Sequence, residues 1–136
     1  MSVPAGPARH EPSESVDELA RAIVDSGFQV HRALGPGLLE SSYEHCLAHE
    51  LSTRGLEVRR QVALPLAYKG MAIEAGYRLD MVVEEAVIIE IKAVEALTRL
   101  HEAQLITYLK LSPYGLGFLM NFNVVLFKQG IRRFLG

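Results

Sequence analysis

Between Tyr77 and Tyr108 the chain places Asp80, the run Val87-Ile88-Ile89-Glu90-Ile91-Lys92, and the pair Gln104 and Tyr108 at short intervals. Strand side chains alternate between faces, so Ile88, Glu90 and Lys92 share one side while Val87, Ile89 and Ile91 take the other. Two charges thus sit inside an apolar β run. Taking a carboxylate or an ammonium out of water costs several kcal/mol unless it is paired or bound to a metal. Asp80, on the preceding strand, supplies a second carboxylate. Magnesium suits such a set, because it prefers octahedral oxygen coordination, keeps several waters and is usually held by only one or two carboxylates plus substrate phosphate. Asp80 and Glu90 are therefore the candidate ligands for Mg²⁺ or Mn²⁺. A cation held there polarises a phosphodiester and acidifies a bound water, while the Lys92 ammonium places the nucleophile and offsets charge building up on phosphorus. Gln104 and Tyr108 lie one helical turn apart and can line the same cleft, with Gln104 orienting Lys92 or the substrate phosphate.

The strands must present both carboxylates to one face. Directly opposed residues on antiparallel strands have numbers with a constant sum, and Asp80 with Glu90 gives an even one. A two-residue turn at Glu84-Glu85 would instead oppose Asp80 to Ile89. The spacing therefore predicts an odd-length loop or a β-bulge between the two carboxylates.

Three prolines and mostly small or polar residues mark residues 1–14 as a flexible leader. Ser15 with Glu18 reads as a capping box ahead of Leu19, Ile23, Val30 and Leu34 in a first helix whose middle Gly27 weakens. After Gly35-Pro36-Gly37, the four-residue recurrence of Leu39, Tyr43, Leu47 and Leu51 predicts a second helix closed by Gly55. Val62, Leu64, Leu66 and Tyr68 alternate as one strand, followed by a turn at Lys69-Gly70. Further strands are expected over residues 73–83 and 87–94, then a third helix capped by Thr98 and ended by Ser112-Pro113. Residues 116–122 and 124–127 read as two more strands, with a closing segment over 131–135. This order gives an α/β fold, a mixed sheet flanked by helices, in a single domain over residues 15–136.

At 136 residues and 49% hydrophobic content the chain suits one core. A net charge of -2 and a pI near 6.2 argue against a strongly basic nucleic-acid binder. The single cysteine, Cys46, excludes an internal disulfide, and no Cys/His group has zinc spacing. No apolar stretch approaches the roughly 18 residues of a membrane span, so a cytoplasmic setting is expected.

The segment Gly37-Leu38-Leu39-Glu40-Ser41-Ser42-Tyr43 resembles the pattern that names the GxxExxY family. Asp80, Glu90-x-Lys92 and Gln104-xxx-Tyr108 resemble the PD-(D/E)XK nuclease superfamily to which that family is assigned. Val30-His31-Arg32, Tyr68-Lys69-Gly70, Lys92-Ala93-Val94-Glu95 and His101-Glu102-Ala103-Gln104-Leu105 are similar to the family's segments, and the likeness covers nearly everything after residue 18. The chain departs from the family after Asn121-Phe122. The resemblance implies a restriction-endonuclease-like fold and a Mg²⁺-dependent nuclease acting on DNA or RNA. It also implies that the carbonyl of Ile91 completes the metal shell and that Glu40 assists through a water.

Blander readings stand beside these. An isolated E-x-K on a strand is usually a solvated face or a structural ion pair. His31, His45, His49 and His101 at helical positions read as surface or packing residues, Tyr43 and Cys46 as core, and Arg59-Arg60 and Arg132-Arg133 as solvated strand ends. The alternative function is a non-catalytic module of the same fold that binds nucleic acid or another protein, or pairs as a homodimer. Clustering of Arg32, Lys69, Arg78, Arg99 and Lys110 around the carboxylates would favour the nuclease by steering in a phosphate polymer.

Overall fold

A computed structural model describes residues 14–136. The expected leader lies outside the described residues except for Glu14, which is already helical. Helix α1 spans Glu14–Leu34. Ser15 falls inside it, so its box with Glu18 does not mark the helix start. Ala20, Ile23, Val30 and His31 are buried along one stripe, as a 3.6-residue period requires. Gly27 belongs to that stripe, because a Cβ there would stand 2.7 Å from Cε2 of Phe127. The glycine that weakens the helix by propensity is what lets the ring approach its backbone. Helix α2, Glu40–Thr53, buries Tyr43, Leu47 and Leu51.

Strands β1 (Val58–Ala63), β4 (Arg78–Val83), β5 (Val87–Lys92), β6 (Leu116–Asn121) and β7 (Ile131–Leu135) form one sheet in the order β1-β4-β5-β6-β7. Only β5 and β6 run parallel, joined by helix α3 (Arg99–Leu111) as the crossover. Thr98 caps α3 as expected, its hydroxyl accepting from the His101 N–H while His101 Nδ1 accepts from the Thr98 N–H. Helices α1 and α2 cover one face over Met81, Val83, Val87, Ile89, Ile91 and Phe118, and α3 covers the other over Val82, Ile88 and Leu119. Each fully buried aliphatic in these layers contributes on the order of 1.5–3 kcal/mol.

Three expectations change. The strand predicted through Val62 to Tyr68 is two, because Pro65 cannot donate to a ladder; Leu66–Tyr68 (β2) pairs instead with Met71–Ile73 (β3) around Lys69 and Gly70, both at positive φ (48° and 81°). The strand predicted over 73–83 breaks ahead of β4, where Gly76 takes a φ of 77°. Residues 124–127 form no strand. Phe127 opens a 3-10 turn, Phe127–Gln129, and buries its ring against Phe28, His31 and Phe122. His31 Nε2 also lies 2.6 Å from the Val124 carbonyl. These apolar residues are used for packing under α1, and the chain returns to the sheet at β7.

Candidate active site

Strand β5 is the centre of the sheet. Its period-two alternation sends Val87, Ile89 and Ile91 under α1 and α2, and leaves Ile88, Glu90 and Lys92 on the α3 side. Strand β4 pairs with it in the register Met81↔Ile89, Val82↔Ile88 and Val83↔Val87, which makes Asp80 and Glu90 the next opposed pair. The connection is the three residues Glu84, Glu85 and Ala86. An odd loop thus keeps the even sum that parity requires, and the two carboxylates meet across the seam between β4 and β5. Glu84 and Glu85 hold left-handed φ values of 55° and 50°, the first anchored by the Glu57 N–H at 2.6 Å and the second by Arg59 at 2.7 Å.

At Asp80 the ladder gives way to side chains. The Asp80 N–H donates to Glu90 Oε2 at 2.9 Å, and the Ile91 N–H donates to Asp80 Oδ2 at 2.8 Å. On the other flank, Gln61 stands opposite Asp80 with a φ of 53°, and the β1 pairing skips that position. The reciprocal latch uses one oxygen of each carboxylate. Asp80 Oδ1 and Glu90 Oε1 carry no hydrogen bond from the described residues.

The pair is electrostatically uncomfortable. Burial first, then the charge of Asp80, pushes the Glu90 carboxyl up to about 8, against the opposing pull of the Asp80 N–H and of Lys92. Asp80 is raised as well, chiefly by burial, with the Ile91 N–H opposing and the charges of Glu44 and Glu40 adding. Tyr108 is raised by burial and then by Glu90 and Asp80, which places its phenol within reach of both charges. Two hard carboxylates that repel one another suit Mg²⁺ or Mn²⁺ better than a metal that prefers nitrogen or sulfur. Among the described residues no group of three or more His, Cys, Asp and Glu gathers to hold a metal. A cation here would therefore draw its other ligands from water, main chain and phosphate.

Comparison with protein-family models finds residues 17–134 matching the PD-(D/E)XK nuclease superfamily. The chain belongs to that superfamily. No curated protein and no solved structure matches it. Membership in the PD-(D/E)XK nucleases, together with the mixed sheet flanked by helices, makes nuclease-type function the coarse assignment. No described helix is long and apolar enough to cross a membrane.

The other expected residues lie as follows, with Asp80 and Glu90 outside the lining of the cavity that Lys92 shares with α3. Lys92 lies two positions beyond Glu90 on the same face, and its ammonium makes no ion pair among the described residues. Lys92, Gln104 and Tyr108 line one cavity of about 500 Å³ between α3 and the sheet. Glu40, exposed at the first position of α2, lies close enough for its charge to raise both Asp80 and Glu90. A depression of about 670 Å³ bordered by Asp17, Arg21, Phe28 and Arg133 lies on the α1 side, across the sheet from the carboxylates.

Three residues around the carboxylate pair escaped the sequence reading. Glu44 is buried one helical turn beyond Glu40, where it accepts from Arg60 Nε at 3.0 Å and from Gln61 Nε2 at 3.0 Å. Its i+4 spacing from Glu40 was the available signal. Gln61, bonded to Glu44, sits where β1 leaves the ladder. Buried Asn121, opposite Lys92 in the parallel register, accepts from the Val94 N–H and donates to the Val94 carbonyl, fixing the chain just beyond Lys92. Nothing local in the sequence marks it. Arg32, Lys69, Arg78, Arg99 and Lys110 are all exposed and free of ion pairs among the described residues, whereas Arg54, Arg59, Arg60, Arg132 and Arg133 are paired. They do not form one cluster: Arg78 precedes Asp80 by two residues, but Arg99 and Lys110 sit at opposite ends of α3, about 16 Å apart along the axis.

Proposed function

We propose that this protein is a nuclease of the GxxExxY type that uses Mg²⁺ or Mn²⁺ to hydrolyse phosphodiester bonds in DNA or RNA. The observation that supports this reading is the reciprocal contact of Asp80 and Glu90, each with one oxygen that takes no hydrogen bond among the described residues, two positions from a Lys92 ammonium with no ion pair among them. Asp80 and Glu90 would hold the cation. The carbonyl of Ile91 joins them, because the N–H and C=O of an extended residue leave on the same edge and the Ile91 N–H already points at Asp80. When bound, the cation supplies Lewis-acid polarisation and an acidified water.

The chain's own groups do the remaining work. Lys92 places its positive charge against the phosphate as negative charge accumulates on phosphorus. Gln104 and Tyr108, on the facing wall, orient Lys92 and the phosphate, and Glu40 holds water at the rim. The GxxExxY spacing has a physical rationale. Gly37 turns the chain at a φ of 100°, Glu40 begins α2, and the Tyr43 hydroxyl donates to the Gly35 carbonyl at 2.6 Å while accepting from the Leu38 N–H. Glycine, glutamate and tyrosine together fix where α2 starts and hence where Glu40 points.

The test is cleavage of end-labelled single- and double-stranded DNA and RNA with Mg²⁺ or Mn²⁺. The parent should cut at least one of these, and Asp80→Asn and Lys92→Met none. A parent that binds nucleic acid yet cuts no substrate with either metal would instead be the non-catalytic module.

A further inference from the structure

The cavity beside the carboxylates has the wrong character for a duplex. Its walls are Leu66, Tyr77, Leu100, Ala103, Tyr108 and Leu111, with His101, Gln104 and Thr107 from α3. Lys92 is the one ammonium or guanidinium on them. A groove that tracks a double-stranded polyanion presents several cations to its phosphates, whereas this one presents large apolar groups to solvent: Leu100 is 76% exposed and Tyr77 45%. The volume, about 500 Å³, lies among cavities that enclose small organic ligands. Tyr77 and Tyr108 both line it, and among the described residues neither ring stacks on another. The side chains of Gln104 and Thr107 carry no hydrogen bond from described residues, so both can meet the polar edge of a ligand.

The cavity reaches the proposed chemistry through Lys92, two residues from Glu90, although Asp80 and Glu90 do not line it. Lys92 and Tyr108 belong to both, so a group seated against the exposed Tyr77 ring in this cavity stays attached to a phosphate at Lys92. We infer that this cavity receives an unpaired nucleobase, and that the substrate class is single strands, frayed ends or flaps in preference to continuous duplex. The inference rests on the nuclease reading only for the placement of the phosphate. An aromatic platform stacks any base without reading its identity, which fits a site with few polar groups. An apolar wall likewise does little for a base that remains stacked and paired in a helix.

Binding in EDTA tests this apart from cleavage. A fluorescein-labelled 12-nucleotide oligothymidylate and a blunt 12-base-pair duplex would be titrated by anisotropy with the parent, Tyr77→Ala, Tyr77→Phe and Leu100→Gln. Both sites are solvent-exposed enough for the variants to fold. The single strand should bind at least about 10-fold more tightly than the duplex. Tyr77→Ala should weaken it roughly 5- to 150-fold, the range that follows from loss of one stacked base, with Tyr77→Phe restoring it, Leu100→Gln weakening it in the same sense, and the duplex little changed by any of them. Equal affinity for the two forms, or single-strand affinity indifferent to Tyr77 and Leu100, would overturn the inference. So would sedimentation showing that Leu100→Gln dissociates a dimer without touching oligonucleotide binding. Cleavage of the same oligonucleotides with Mg²⁺ keeps the two readings separate. A parent that cuts duplex without single-strand preference removes the cavity assignment alone, and one that binds single strands through Tyr77 but never cuts removes the nuclease alone.

Discussion

Replacing Glu90 by Gln should stabilise the metal-free protein at alkaline pH, although it alters a residue that is 4% exposed in the centre of the sheet. The folded state holds the Glu90 proton up to about pH 8, against an ordinary glutamate value of 4.5. Between these limits the native state binds more protons than the unfolded chain, so stability must fall as pH rises through the window. At about 1.4 kcal/mol per unit the ceiling between pH 5 and pH 9 is roughly 4 kcal/mol. Water reaching the open rim beside Lys92 relaxes part of the repulsion, and a loss of roughly 2 kcal/mol is the expected outcome. For a domain of this size that corresponds to about 7 °C in Tm. Gln keeps an oxygen to accept from the Asp80 N–H and carries no charge, so the variant should melt about that much above the parent at pH 9 and show a flatter profile. Calorimetry in EDTA across pH 5–9 provides the assay. If parent and variant lose stability in parallel, the strain lies elsewhere and the carboxylate pair is not the source.

Three further outcomes are expected. Saturating Mg²⁺ or Mn²⁺ should raise the Tm of the parent, by about 3 kcal/mol of stability at a concentration 100 times Kd, and Asp80→Asn should lose that rise in the same thermal-shift assay. Lys92→Met should abolish metal-dependent cleavage while changing nucleic-acid affinity, measured with Mg²⁺ present, by less than about 1 kcal/mol, because its charge acts chiefly on the negative charge that accumulates in the transition state. Gly27→Ala should destabilise the fold by about 1–2 kcal/mol in urea unfolding, since the new Cβ would stand 2.7 Å from the buried ring of Phe127 and overpacking outweighs the roughly 1 kcal/mol of helix propensity that alanine adds. A stabilised Gly27→Ala would show that the ring yields freely.

The parts of this architecture that obey a short period were legible in the chain. Alternation assigned Glu90 and Lys92 to one face of β5, parity called for an odd loop or a β-bulge between Asp80 and Glu90, and Thr98 announced α3. What stayed hidden depends on partners distant in sequence. Residues 124–127 have strand composition, but Phe127 finds a glycine-sized gap over α1 at Gly27, and ring packing outcompetes a ladder. Glu44 looks like any surface glutamate until β1 brings Arg60 and Gln61 against it. The break at Pro65 was readable and was overridden by the alternation on either side of it. For the site as a whole, the sequence points to Asp80, Glu90, Lys92, Gln104 and Tyr108, and omits Glu44, Gln61 and Asn121, whose partners lie on other elements.

The latch between the strands has a spectroscopic consequence. The amide protons of Asp80 and Ile91 point at carboxylate oxygens, where their neighbours along the ladder point at peptide carbonyls. A hydrogen bond to an ionised acceptor is shorter and stronger than one to a neutral acceptor, so each proton's chemical shift follows the charge on the carboxylate it touches. The Asp80 amide observes Glu90, and the Ile91 amide observes Asp80. Two backbone resonances, with no probe attached and no side chain altered, can thus follow the filling of the centre by protons or by a cation, one carboxylate at a time.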